Sequence, residues 1–319
     1  MSRIVITGAS GFLGRAIVSA ATAAGHEVVG LTRADVDLAD TEGLPKILAG
    51  ADAVIHAAAG RGDDASHARD TQAATKNVIA AMPKGARLVL VSSFSIYAFD
   101  GMPDWAQLDE TAPTDPDGSG RDAYARAKIQ QEKLVISAAQ TEGLQAWIAR
   151  PGAIYGPDRV TTARLGWSKK GRWICLGGDA PVPAIHVDAC ARALVLAATV
   201  PDQGWPDDMP ILTGDGHVRI INLVQPDPPT QTDWMEAIGS GSPIRLPRKP
   251  VMRAASVLGM IGDIVPKLGK RMPTALRQQT LAARFKPLRY STHRLEQRLG
   301  FASTDSFAAL MAASQETGA

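Results

Sequence analysis

The run Arg3-Ile4-Val5-Ile6-Thr7 is apolar enough for a strand buried on both faces, and it passes through Gly8, Gly11 and Gly14 into an apolar-periodic segment. Few features constrain a chain more. A strand, a glycine-rich turn and a helix in that order set unpaired N-terminal amides beside a tight backbone, which makes a cradle for a pyrophosphate. Each glycine has its own task. Gly8 permits the tight turn, Gly11 lets backbone N–H groups approach the phosphates, and Gly14 lets the helix lie close on the strand. Ser10, Phe12 and Leu13 share this turn and are expected at the same ligand.

The first half of the chain alternates strand and helix patterns. Strands are expected at 26–31, 53–56, 87–92 and 144–149. Helices are expected at 67–82, stopped by Pro83, and at 121–141, closed before Gly143. Such alternation predicts an α/β fold with a doubly wound parallel sheet. After Arg150 the pattern loosens. Stretches 201–210 and 226–229 read as loops, and 251–268 as an amphipathic helix.

Composition narrows the class. With 319 residues, 45% hydrophobic and 21% charged, the chain can bury a large core. No apolar run reaches the roughly 20 residues of a membrane span, and the first strand begins too early for a signal peptide, so a cytoplasmic setting is expected. Cys175 and Cys190 lack metal-ligand spacing and are expected to be reduced and buried, with no metal site. Net charge is only +2, yet residues 245–298 hold 13 Lys/Arg against Asp263 and Glu296. That segment suits an anionic substrate or an anionic membrane surface, or is a solvated face paired with acidic stretches. No nucleic-acid partner is expected.

Tyr124 and Lys128 stand one helical turn apart on one face, 31 residues after Ser93. In order along the chain come Thr7-Gly8, Gly11-Phe12-Leu13-Gly14, Asp52 to Ala59, Val91-Ser-Ser-Phe-Ser-Ile-Tyr97, Tyr124-Ala-Arg-Ala-Lys128, Arg150-Pro-Gly-Ala-Ile-Tyr-Gly-Pro157 and His186-Val-Asp188. This ordered set resembles the extended branch of the short-chain dehydrogenase/reductase superfamily, over residues 3–199. The resemblance implies a Rossmann-type sheet with a smaller C-terminal substrate-binding lobe. It implies a dinucleotide domain at 1–152, with 180–200 returning to it, and a lobe from 153–179 and 201–319.

The resemblance also assigns roles. Tyr124 would exchange a proton with a substrate oxygen, Ser93 would bind that oxygen, and Lys128 would hold the nicotinamide ribose; Ser95 competes with Ser93 for its role. A neighbouring Lys⁺ favours phenolate, so the Tyr124 pKa is expected to fall from about 10 towards 7. Ala57, Ala58 and Ala59 would leave room for adenosine, and Pro151, Gly152 and Ile154 would line the nicotinamide. Asp188 reads as structural. Asp37 and Leu38 resemble the adenine-side pair that follows the family's third strand, which makes 53–56 the fourth.

Arg33, after the second strand, favours the 2′-phosphate of NADP, while Asp35 can turn the choice to NAD by reaching the ribose or neutralising Arg33. The pattern departs from the family at Thr71, where Asn is usual, and at Ala74, where Gly is usual. The stretch 157–186 is short for a nucleotide-sugar enzyme. The expected function is therefore an NAD(P)-dependent oxidoreductase acting on a small carbonyl or alcohol, similar to the dihydroflavonol reductase and 3β-hydroxysteroid dehydrogenase group. A nucleotide-sugar epimerase and a non-catalytic dinucleotide-binding scaffold are the alternatives. Many relatives form homodimers through the 67–82 and 121–141 helices, and Val78, Ile79, Ile129, Leu134 and Ile136 offer an apolar face for one.

Overall fold

A computed structural model describes residues 1–169, 172–201, 217–264, 272–301 and 305–317. Six parallel strands form one sheet in the spatial order His217–Leu223, Gln145–Pro151, Arg87–Val91, Ala53–His56, Arg3–Thr7 and Glu27–Leu31. Successive side chains fall on opposite faces. Ile4, Ile6, Ile55, Val89 and Trp147 join one buried cluster, and Val5, Val54, Leu88, Leu90 and Ile148 join the other. The first cluster is covered by the Phe12–Ala23 and Val187–Thr199 helices and the second by Ala123–Glu142. Both faces are thus dry, which is why the strands read as continuous apolar runs.

Three local features differ from the sequence expectation. No strand forms between Leu31 and Ala53, so Ala53–His56 is the third strand along the chain and Glu27–Leu31 is the sheet edge. The reason is local: Asp35 accepts hydrogen bonds from the Thr32 amide and hydroxyl, and Asp37 accepts one from the Ala39 amide. Side chains that fold back on their own backbone make turns instead of a ladder. The expected 67–82 helix begins earlier, at Asp64, capped by Asp63, and widens into a π-helical turn over Ala68–Ala73 before Ala74–Ala81. His217–Leu223, assigned from sequence to the smaller lobe, pairs along its whole length with Gln145–Pro151 in the large sheet.

Outside that sheet, Trp167–Lys169, Arg172–Leu176 and Ile244–Leu246 make a three-stranded sheet. Ala153–Tyr155 and Ala184–His186 make a separate short parallel pair. The amphipathic helix runs over Arg248–Ile264, and its expected continuation to 268 lies outside the described residues, as does the expected loop at 202–210. The 226–229 stretch is loop, as expected. Of the five apolar residues expected at a dimer face, Val78 and Ile129 are spent in the protein's own core. Ile79, Leu134 and Ile136 are half-buried.

Candidate active site

The Gly8–Gly14 turn is tight enough that only glycine fits. A Cβ on Gly14 would sit 2.0 Å from the Gly8 carbonyl oxygen, and one on Gly8 (φ +72°) would sit 2.9 Å from Ala58. Below 3.0 Å the backbone itself would have to move. A cleft of about 610 Å³ opens over this turn and is bounded by Gly8, Ser10, Gly11, Phe12, Leu13 and Gly14 on the floor. Arg33, Asp37 and Leu38 stand at one end, Ala57, Ala58 and Ala59 along the side, and Tyr124 at the other end. An adjoining pocket of about 210 Å³ is lined by Ser93, Tyr124, Lys128, Pro151, Gly152 and Ile154, together with Leu13, Ala57 and Ala59. Every cofactor-side residue named from sequence lies on one of these two linked surfaces. The size, the glycine cradle and the helix N-terminus fit a dinucleotide.

Asp122 caps the Ala123–Glu142 helix by accepting from the Ala125 amide at 2.9 Å, which fixes Tyr124 in the first turn. Lys128, one turn on, is buried and donates to the Val91 carbonyl at 2.7 Å and to Gln131 Oε1 at 2.8 Å. Its Nζ stays 5.9 Å from the Tyr124 ring centroid. Burial pulls the ammonium down to about 8, against the opposing charge of Glu132. Gln131 continues inward, its amide nitrogen donating to Thr75 Oγ1 at 2.8 Å, and Thr75 Oγ1 lies 3.0 Å from His56 Nε2. His56 Nδ1 in turn lies 2.7 Å from Thr7 Oγ1, which accepts from the Ala58 amide. Sequence reasoning missed Gln131, although its spacing of three from Lys128 put it on the same face.

The Tyr124 phenol departs from expectation. Its pKa is raised, because burial of the hydroxyl end outweighs the hydrogen bond with Ser93 and the charge of Arg159, and Asp122 pushes the same way as burial. Lys128 turns its ammonium to Val91 and Gln131, 5.9 Å from the Tyr124 ring centroid, and the phenol is not lowered as the spacing suggested. The side chain is nonetheless 40% exposed towards the cleft. Ser93 Oγ accepts from the Ser95 amide at 3.1 Å, while Ser95 Oγ is buried with no hydrogen-bond partner. Arg159, another residue not singled out from sequence, borders both cleft and pocket, with its guanidinium 5.1 Å from the Phe12 ring centroid.

At the far end of the cleft Arg33 is 73% exposed and bonds Asp70 at 2.7 Å. Asp35 does not neutralise it, being committed to Thr32. Asp70 comes from the π-helical turn and also pairs with Arg69 at 2.6 Å; Arg69 in turn pairs with Asp37. The widened turn brings Arg69 and Asp70 to the strand ends, a placement that no sequence spacing announces. Among the described residues no group of His, Cys, Asp and Glu is arranged to hold a metal ion, and Cys175 and Cys190 are buried and unpaired. Among the same residues no helix is long and apolar enough to cross a membrane.

Comparison with known proteins places this geometry. A dTDP-4-dehydrorhamnose reductase of Mycolicibacterium smegmatis is 31% identical over 172 residues, which cover 51% of this chain and 50% of that protein. A 4-hydroxy-2-methyl-3-oxo-4-farnesyl-3,4-dihydroquinoline-1-oxide ketoreductase of Stigmatella aurantiaca is 30% identical over 252 residues, covering 70% of this chain and 71% of the other. The match thus spans about half the length of the first relative. The UDP-N-acetylglucosamine 4-epimerase structure from Bacillus cereus superimposes with a TM-score of 0.67 over all of both chains at 17% identity, a likeness of fold. The sequence profile of the NAD dependent epimerase/dehydratase family matches residues 4–211, and the chain belongs to that family.

Proposed function

We propose that this protein is an NAD(P)-dependent oxidoreductase that interconverts a ketone and an alcohol, with Tyr124 exchanging the proton. The observation that carries the reading is the meeting of Ser93, Tyr124 and Lys128 on one pocket wall that continues the glycine-floored cleft. Ser93 is suited to donate a hydrogen bond to the substrate oxygen, and Tyr124 to give that oxygen its proton. A phenol with a raised pKa is protonated at neutral pH, the state a proton donor needs. Lys128 retains one N–H beyond its bonds to Val91 and Gln131, enough to hold a ribose hydroxyl. The nicotinamide, when bound, supplies or takes the hydride.

NADP is the proposed partner at the Arg33 end, because Arg33 is exposed and Arg69 adds a second guanidinium beside it. A carbonyl and alcohol panel assayed with NADPH and with NADH tests the proposal. Turnover of a ketone, faster with NADPH, is the expected result. Tight NADPH binding with no turnover of any carbonyl would support the scaffold alternative.

A further inference from the structure

Beside Ser93 and Tyr124 lies a third pocket, of about 230 Å³, into which three arginines converge from separate parts of the chain. Arg121 precedes the Tyr124 helix, Arg164 sits in the short turn Ala163–Leu165, and Arg284 ends the last turn of Gln278–Phe285. Arg121 and Arg164 flank one aromatic ring, their guanidinium carbons 6.0 Å and 5.6 Å from the Phe99 centroid. Their neutralisation is partial, with one carboxylate, Asp122, lining the pocket beside the three guanidinium groups. Arg121 reaches Asp115 only at 3.7 Å and Arg284 reaches Asp122 only at 3.9 Å. Among the described residues Arg164 has no carboxylate partner and donates to the Ala283 carbonyl. Burial, and then the charges of Arg121 and Arg284, push the Arg164 pKa down, with Tyr290 opposing.

Three cations against the one lining carboxylate leave a positive excess in a small, half-enclosed space, which a further anion would offset. Ser95 lines the same pocket, and its hydroxyl oxygen is buried without a partner. Arg121 also braces the site, donating to the Tyr97 and Ser95 carbonyls at 3.1 Å and 2.7 Å. Arg164 and Arg284 are the two with donors to spare.

We propose that this pocket binds the carboxylate of the substrate, so that the substrate class is a small oxo acid. The inference rests on the reading of Tyr124 as the proton donor. The ketone carbon takes the hydride and its oxygen takes the Tyr124 proton, giving the hydroxy acid, while the carboxylate is unchanged. Because Ser93, Tyr124 and the arginines line one pocket of about 230 Å³, ketone and carboxylate must lie within a few bonds of each other. A pocket of this volume suits a small anion better than a nucleotide diphosphate, since drug-sized ligands fill about 300–1,000 Å³.

Binding of 3-hydroxyhexanoate, of its methyl ester and of dTDP to the NADPH complex, measured by calorimetry, tests the site without relying on turnover. The acid is expected to bind about tenfold or more tighter than the ester, the range of a charge-assisted contact. That preference should collapse towards one in Arg164→Gln and in Arg284→Gln. Equal binding of acid and ester, no binding of either, or a preference unmoved in both variants overturns the proposal. Tighter binding of dTDP that is lost in the same variants also overturns it, in favour of a diphosphate. Reduction of 3-oxohexanoate is assayed in parallel. If neither it nor any carbonyl of the panel is reduced while the acid preference holds, the oxidoreductase reading falls and the carboxylate pocket stands.

Discussion

Gln131 accepts a hydrogen bond from the Lys128 ammonium at 2.8 Å and donates one through its own amide N–H to Thr75 Oγ1 at 2.8 Å. Both side chains are buried, so neither contact is traded for water. Gln131→Leu removes the bridge and leaves Lys128 one acceptor short. The expected stability loss is about 1–3 kcal/mol, the cost of an unsatisfied buried partner. Turnover should also fall, with Gln131→Glu retaining an acceptor and restoring part of it. Urea denaturation and steady-state kinetics on the two variants check this; unchanged turnover in both would confine Gln131 to a packing role.

Tyr124→Phe keeps the ring and removes the proton. Turnover is expected to drop by about 100-fold or more, while NADPH affinity changes little. Near-normal kcat in the variant would refute the assigned role.

Arg33 is held in place by Asp70 from the π-helical turn. Arg33→Ala should weaken NADPH about tenfold or more and leave NADH nearly untouched. Fluorescence titration with the two cofactors separates the outcomes, and equal losses for both would reverse the NADP preference.

Glu132 sits in a buried polar network, receiving Arg150 through Nε at 3.0 Å and Nη2 at 2.7 Å, with Ser92 on the same carboxylate. Arg150 also donates to the Tyr97 hydroxyl at 3.1 Å, which donates to Asn222 at 2.7 Å. Glu132→Ala strands the Arg150 charge and should cost about 3–5 kcal/mol. Thermal unfolding measures it; a loss under 1 kcal/mol would mean that water or rearrangement rescues the arginine.

His56 is fully buried between Thr7 and Thr75, and burial, then Lys128, pulls its pKa from 6.5 down to about 3. Below 6.5 the unfolded chain takes up a proton that the folded chain refuses. Stability from this group is therefore full above 6.5 and falls as pH drops towards 3, by an amount on the order of a few kcal/mol. In urea titrations across that window His56→Gln should show a shallower pH slope than the parent. Parallel slopes would place the acid sensitivity elsewhere.

The sequence alone determined the parts that repeat a local physical pattern. Ile4, Val5 and Ile6 had to be a strand dry on both faces, and Gly8 and Gly14 had to be glycine because the turn leaves no room for a Cβ. The same spacing logic put Tyr124 and Lys128 on one helix face. Tertiary structure decided what depends on distant partners. The direction of the Tyr124 pKa follows from burial of its hydroxyl, which outweighs the Ser93 hydrogen bond. Arg33 finds Asp70 only because a helix widens by one turn 37 residues later. The missing strand after Leu31 reflects Asp35 and Asp37 capping their own backbone, and the convergence of Arg121, Arg164 and Arg284 joins segments up to 163 residues apart. Periodicity and glycine sterics act within a few residues and can be read along the chain. Charge pairing and desolvation act through space, and only the fold sets those distances.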